Sequence, residues 1–593
     1  MSLVTRESTP DEGSGSTSDR ESGSTPNRES ASAATADAES GSTPDETPDD
    51  EPAADSDAAA DGGSASGTLP PPEPNPSTEV REDTTDTSVP SSSTGDQTMA
   101  EQGGVTFAGE LIKKGFGFLV VAVITRLVSP GVYGLFVLST SVLHLTQVFA
   151  SAGLHRAIDY YVPQYLARDE PGRARGVTIQ VFGLLLLTST VTGIGMFLAA
   201  DTLAAAFDEP GVATGLRMLA VALPLLAIFN GLMASYSGIK RLRYRVYVRD
   251  ITRPTVRLIA TVGLLLVGFG LVGIVGGYII GLAVGILLGI VLLARQDLLK
   301  GGTTAFTPVR EILWYGMPLA LAGVIYVVMG QVDYFVVGYF MSSDDVGIYR
   351  IGYMLAANLL VFFSSLAPVF KPLIAERRRN RNAVAERYQT ATRWVLALSL
   401  PAAAILVLGA DAYLALVFTP QYTAASGVVL ALIAGYLVSV TAGGPDGALL
   451  QGLGYSRLVF VNSALLLIAN VAFSVLLVPR YGILGAGLGT MLALMLSGTA
   501  ALLEVYYFRR IHPFTRELAL VVAAWLPALA TGWVVATAAS SNIVVAVALP
   551  VVVIGTYAIV GRLLGVVTPA DVEIAEQVLP ESVVTRLRSA AEA

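Results

Sequence analysis

Cysteine is absent from the 593-residue chain, which excludes disulfide bonds and thiol chemistry. Lysine is nearly absent too, with 5 against 33 arginines, and there are only 3 histidines. Charge as a whole is thin. Asp, Glu, Lys and Arg make up 14% of the chain, where a soluble domain carries about a quarter. Hydrophobic residues make up 53% and the mean hydropathy is +0.59, the composition of an integral membrane protein. No phosphate loop of the GxxxxGK type and no HExxH metal motif is present, so neither nucleotide hydrolysis nor zinc peptidase chemistry is supported. A membrane glycosyltransferase or polymerase would carry larger extramembrane regions with clustered acids. Here the longest outer loops, near 200–213 and 409–425, are short. The chain reads as a non-enzyme with no nucleic-acid partner.

Two unlike parts share this average. Residues 1–104 hold 23 Asp or Glu against 4 Arg, no Lys, and long stretches of Ser, Thr, Gly, Pro and Ala. Their net charge of −19 leaves +10 for the remainder of a chain whose total is −9. Such a segment cannot bury a core, and a disordered acidic cytoplasmic tail is expected. It lacks the apolar stretch of a signal peptide. Its fragments ESGSTP (21–26) and ESGSTPDE (39–46) recur; a solvating low-complexity tail is the plain reading, a partner-binding or phosphorylated arm the functional one. Acidic exposed segments with scarce Lys are traits of proteins from salt-loving archaea.

Beyond the tail, fourteen apolar runs have about the 20 residues a helix needs to cross a bilayer. They lie near 107–128, 132–154, 177–199, 214–236, 247–268, 270–294, 313–338, 345–370, 389–408, 426–447, 457–478, 482–503, 516–537 and 541–562. Arginines crowd alternate loops: Arg156, Arg168, Arg173 and Arg175 after the second run, Arg241, Arg243, Arg245 and Arg249 with Lys240 after the fourth, and Arg377, Arg378, Arg379 and Arg381 after the eighth. By the positive-inside rule these loops are cytoplasmic, which puts both termini inside a multi-pass protein of the cell membrane. A short amphipathic helix is expected in the C-terminal stretch after 566.

GLVGIVGG at 270–277 returns as GILGAGLG at 482–489, GVYGLF at 131–136 as DDVGIY at 344–349, and SGIKR at 237–241 as QGLGY at 451–455. The offsets agree within two residues, so the chain contains a duplication. Six runs separate the copies, an even number, and the halves should be parallel repeats related by an axis along the membrane normal. The expected fold is therefore an all-α polytopic membrane protein of 14 transmembrane helices, two parallel six-helix repeats plus two extra helices. Its expected parts are a tail (1–104), a first lobe (105–300), a second lobe (301–508), two extra helices (509–565) and a cytoplasmic C-terminal tail (566–593). Gly273, Gly277 and Gly281, like Gly485 and Gly489, recur every four residues and should serve close helix packing.

TRLVSPGVYGLF (125–136), FASAGLHRAIDYYVPQY (149–165), VDYFVVGYFMSSDDVGIYRIGYM (332–354) and VPRYGILGAGLGTMLA (478–493) together resemble the polysaccharide-transporter branch of the multidrug/oligosaccharidyl-lipid/polysaccharide flippase superfamily, over roughly residues 105–565. The resemblance implies a flippase that moves a polyprenyl- or dolichyl-(pyro)phosphate-linked oligosaccharide across the membrane by alternating access, for surface polysaccharide or glycoprotein assembly. It implies the lipid-linked glycan and membrane lipids as partners, and glycosyltransferases or an oligosaccharyltransferase as pathway neighbours. A cation-coupled exporter of drugs or metabolites shares the architecture and is the alternative. No cofactor is implied, and coupling to Na+ or H+ stays open.

A phosphate-bearing cargo requires a polar, cationic cavity. Charge inside a span costs ~2.5–3.5 kcal/mol on insertion scales, so it normally faces a cavity or a partner. Arg249, Arg253 and Arg257 fall four apart in YVRDITRPTVRLIA (247–260) and should form one stripe running into the bilayer. Their planar forks suit phosphate; Arg249, nearest the interface, equally suits snorkelling to lipid phosphates. Pro254 should bend or open this turn. Lys113 in the first run is a further head-group candidate, because Glu110 and Lys114 are spaced to pair with each other. His144 and Gln147 share a face of the second run and are candidates for sugar contact or interhelical hydrogen bonding; Asn230, Asn358, Asn462 and Asn470 read first as interhelical glue. Asp333 and Arg350, at the outer ends of the seventh and eighth runs, are expected to form a gating ion pair, with cation coupling at Asp333 as the alternative.

Overall fold

The computed structural model of the chain describes residues 115–296, 304–442 and 447–566. The segment 1–104, Lys113 with Glu110 and Lys114, and the C-terminal stretch from 567 lie outside the described residues. Regular structure among the described residues is helical throughout. In chain order the main helices are α1 (Gly115–Leu127), α2 (Pro130–Ser151), α3 (Leu154–Ala167), α4 (Pro171–Leu198), α5 (Pro210–Gly238), α6 (Arg253–Leu266), α7 (Gly270–Ala294), α8 (Val309–Phe340), α9 (Ser343–Ala357), α10 (Leu360–Glu376), α11 (Arg381–Leu408), α12 (Ser426–Thr441), α13 (Ser456–Tyr481), α14 (Ile483–Arg509), α15 (Arg516–Ala538) and α16 (Asn542–Leu563).

Helix makes up most of the described residues in each apolar run, and among the described residues eleven helices are long and apolar enough to cross a membrane unaided. Specific causes account for the other three runs. Helix α1 is described only from Gly115. The fifth run, preceded by a short helix, Leu242–Val246, is divided into a π-helical turn, Tyr247–Thr252, and α6. The eighth breaks at Asn358 and Leu359 between α9 and α10.

The duplication is visible in the contacts. Helix α2 starts at Ser129, whose hydroxyl accepts from the Val132 amide; α9 starts 213 residues later at Ser342, which forms a capping box with Asp345. Such caps satisfy amides that the first helical turn leaves unbonded. The pair α6–α7 packs as the pair α13–α14 does. A Cβ on Gly277 would stand 2.7 Å from the backbone nitrogen of Thr261, and one on Gly489 would stand 2.8 Å from that of Ser474. Thr261 and Ser474 are again 213 apart. The glycine ladders are packing surfaces, as their spacing suggested.

The halves meet where α2 crosses α9. A Cβ on Gly134 would collide with the Ser343 carbonyl oxygen and lie 3.0 Å from the Gly347 nitrogen; one on Gly347 would collide with the Pro130 carbonyl oxygen and lie 3.2 Å from the Gly134 nitrogen. Gly134 and Gly347 are counterparts, so this is a self-complementary contact of the kind a two-fold axis produces. On the side away from the Arg-rich loops two further ties join the halves. The Arg126 guanidinium donates to the carbonyls of Leu416 and Val417, and the Ser343 amide donates to Glu209 Oε1 at 2.8 Å. Helices α15 and α16 stand outside the repeat and pack on α11.

Gly134→Val and Gly347→Val each force a branched side chain against opposing backbone, an overpacking cost of about 1–3 kcal/mol. Detergent-extracted protein carrying either change should melt several degrees lower. Gly183→Ala, where a Cβ meets nothing within 4 Å, should melt with the parent. Unchanged melting in both valine variants would show that the halves do not cross here.

Candidate functional site

Proline at the second residue of α6 supplies no amide for the turn before it, and that turn widens into the π-helical segment Tyr247–Thr252. The widening gives Arg249 a local partner. Its Nε and Nη2 bind the two oxygens of the fully buried Asp250 at 2.7 and 3.1 Å. Beyond the turn the four-residue spacing holds. The Arg253 guanidinium carbon lies 4.9 Å from the Phe229 ring centre and 5.4 Å from that of Tyr278. That of Arg257, one turn deeper, lies 5.1 Å from Tyr278 and 5.6 Å from Phe136. Aromatic faces carry negative potential, and each such contact contributes ~0.5–2 kcal/mol toward holding a cation out of water. Gly281 of α7 admits α6 at this height, since a Cβ there would stand 2.8 Å from Arg257 Cβ. The buried Nε of Arg257 has no hydrogen-bond partner among the described residues.

Arg249 and Arg253 line a cavity of about 280 Å³ together with Arg156, Asp159, Asn230 and Arg245. A second cavity, of about 330 Å³, shares His155, Arg156 and Asn230 with it and extends to His144, Gln147, Tyr326 and Gln331. Arg257 lines neither and sits behind the first. His144 and Gln147, paired on one face by spacing, do share a cavity wall, and Asn230 joins them instead of bonding a neighbouring helix. The reading of Asn462 and Asn470 as glue fits the geometry: their amides donate to Glu504 and Thr490 of α14.

Several lining residues escaped the sequence reading. Ala152 and Gly153 adopt φ of 42° and 69°, a left-handed break that aims α3 back at the cavity. A Cβ on Gly153 would meet the carbonyl of Gly316 in α8, its carbon at 2.9 Å, so only glycine fits at the break. The break brings His155, Arg156 and Asp159, which read as loop, to the cavity. Burial, then the nearby Arg156 charge, lowers the His155 pKa to about 4. Burial raises that of Asp159 to about 6, although Arg245 and Arg156 pull the other way. The signal available was SAG at 151–153, a small-residue stretch interrupting the second run.

The expected ion pair between Asp333 and Arg350 does not form. Asp333 Oδ2 accepts from Tyr349 Oη at 2.8 Å and Thr490 Oγ1 at 3.0 Å. Thr490 in turn accepts from Asn470 Nδ2 at 2.9 Å. Asp333 Oδ1 and Asn470 Oδ1 are buried without a partner among the described residues. The Arg350 guanidinium instead donates to the Tyr334 hydroxyl and lies over its ring. The rotation of α9 sends Tyr349 toward Asp333 and its neighbour Arg350 the other way. The repeat offset makes Asn470 the counterpart of Arg257, and Tyr349 the counterpart of Phe136 beneath it. One ancestral position thus carries a cation in the first half and part of an acid-centred cluster in the second.

The duplicated helical bundle, with its charged cavity in the first half, has counterparts among known folds. A solved structure described as lipid II flippase MurJ in an inward closed conformation superposes with TM-score 0.63 at 16% identity, over 78% of this chain and 98% of that one. An inward-facing multidrug resistance MATE family transporter of the MOP superfamily gives 0.57 at 15%, over 68% and 95%. An uncharacterized membrane protein of Methanocaldococcus jannaschii is 23% identical over 190 residues. The match spans 31% of this chain and about a third of that relative's length, 36%. Residues 123–427 match the polysaccharide biosynthesis protein family, just over half of the chain, and the chain belongs to that family. Its fold, shared with these solved membrane proteins, is that of a multi-pass membrane protein.

Affinity of the chamber for an alkyl sulfate, whose charge is constant near neutrality, should rise several-fold as pH falls from about 7 to about 5. Asp159, titrating at about 6, sheds its negative charge over that window, while His155, at about 4, stays neutral, so the chamber gains net positive charge. Asp159→Asn should flatten the profile in nanodisc titrations. Falling affinity, or an unchanged slope in the variant, would contradict the assignment.

Proposed function

We propose that the chain flips a polyprenyl- or dolichyl-(pyro)phosphate-linked oligosaccharide from the cytoplasmic to the outer leaflet of the cell membrane, with both termini cytoplasmic. One observation carries the reading. Four arginines, Arg156, Arg245, Arg249 and Arg253, converge on one cavity in the interior of the bundle, with Arg257 a turn deeper. A positive chamber lowers the desolvation cost of a phosphate head group, and guanidinium forks bind phosphate bidentately. Arg156 and Arg245 take the head group at the cytoplasmic mouth. Arg253 and Arg257, sharing the Tyr278 ring, carry it inward. The lipid tail remains in the bilayer.

The ties of Arg126 and Glu209 close the side opposite the Arg-rich loops, so the chamber is poised for loading from the cytoplasm. Release outward requires those ties to break and α2 to rock against α9. Arg350 acts as a gating residue here, since it joins Tyr334 of α8 to Tyr133 of α2. Asp333 serves coupling: its free oxygen, with those of Asn470 and Thr490, offers a proton or a small cation a set of hard oxygen ligands. The exporter reading draws on Asp159, a carboxylate in the chamber that suits a cationic drug.

Arg253→Ala with Arg257→Ala should cut surface glycan delivery at least tenfold at parental protein levels, and lipid-linked glycan should accumulate on the cytoplasmic face. Normal delivery in the double variant would reject the role. Sensitivity to cationic dyes in a deletion strain whose surface glycan is unchanged would select the exporter. Asp333→Asn should remove the dependence of flipping in proteoliposomes on a Na+ or H+ gradient while head-group binding persists; a gradient response equal to the parent's would exclude Asp333 from coupling.

A further inference from the structure

Beside the cationic cavity lies one with no carboxylate in its wall and, apart from Arg156 at the boundary, no arginine or lysine. Its volume of about 330 Å³ falls within the range of small-molecule sites, about 300–1,000 Å³. We infer that this neutral compartment is a sugar site: it holds the ring nearest the phosphate, with Tyr326 as stacking shelf and Gln147, Asn230 and Gln331 as hydroxyl partners. The inference rests on the lipid-phosphate reading above and adds the part of the cargo that the second cavity selects.

The shelf comes from α8. Gly323, Tyr326 and Gly330 fall three and four apart, on one face of the helix, and all three line the cavity. A Cβ on Gly323 or Gly330 would meet nothing within 4 Å, so space stays open above and below the phenol. Tyr326 is 76% exposed. It stands roughly 20–25 Å along the helix from either end of α8, far from the interfaces where membrane tyrosines anchor to head groups. A phenol hydroxyl is out of place in hydrocarbon at that depth, but it suits a wet cavity. The face of a pyranose presents C–H bonds of partial positive charge, which complement the negative face of an aromatic ring.

The opposing wall comes from the first half. Gln147 of α2 and Asn230 of α5 have no hydrogen-bond partner among the described residues, and His144 meets Gln331 of α8. Amide side chains donate and accept at once, as sugar hydroxyls do. An organic cation would want a carboxylate here, and the wall has none. The sugar therefore touches both halves while the phosphate touches only the first. The two cavities adjoin through His155, Arg156 and Asn230, in the order in which phosphate and first sugar are joined in such a lipid.

The test measures, with the full chain in nanodiscs, the dissociation constants of a polyprenyl diphosphate and of the same lipid bearing one hexose. Tyr326→Ala and Gln147→Ala should each lower the preference for the hexose-bearing lipid about tenfold. Both should leave the bare lipid diphosphate within about twofold of the parent, which also shows that the variants are folded. Tyr326→Phe should keep the preference, and Arg253→Ala should weaken both lipids. A preference unchanged in both alanine variants overturns the sugar site and leaves the phosphate chamber standing. Failure of the parent to bind either lipid removes the lipid-phosphate reading, and the sugar site with it.

Discussion

The crossing of α2 and α9 at Gly134 and Gly347 is the constraint on which the rest depends. Backbone meets backbone there in both directions, because no side chain intervenes. That contact holds the first half against the second on one side of the membrane. The Arg126 and Glu209 ties join the halves on the same side. Small residues permit this approach in lipid, where apolar surface alone gives helices no reason to prefer each other over acyl chains.

Charge inside the bundle is tolerated through shielding that differs between the halves. The first half places Arg253 and Arg257 against the rings of Phe229, Tyr278 and Phe136, which replace part of the lost hydration without neutralising the charge. Arg253 and Arg257 thus keep their charge without a carboxylate partner. The second half gives Asp333 two hydroxyl donors, from Tyr349 and Thr490, and no counter-ion among the described residues. A salt bridge in either place would have cancelled the field that a charged cargo or coupling ion needs.

Most of the architecture was legible because it is written in periodicity. Apolar runs of bilayer length gave the helices, and the return of GLVGIVGG as GILGAGLG gave the duplication. Arg253 and Arg257 followed from their four-residue spacing within one unbroken helix. Arg249 did not, since the π-helical turn between it and Arg253 alters the register, and a widened turn has no period to read. Asp333 and Arg350 misled for a different reason. The direction each faces depends on how α9 rotates against α8 and α14, a property of packing rather than of spacing. Arg156 was counted as loop charge because the break at Ala152 and Gly153 resembles the end of a helix; the contact with Gly316 that turns α3 back is visible only in three dimensions.

Gly134 and Gly347 descend from one residue of an unduplicated ancestor, and each is the other's neighbour. A side chain added in either copy disturbs the same junction. Arg257 and Asn470 share an ancestor as well, but they lie apart in separate halves, and nothing bound them to a common fate. The duplicated bundle thus has one seam built alike from both copies and two unlike interiors, one carrying an arginine where the other carries an amide.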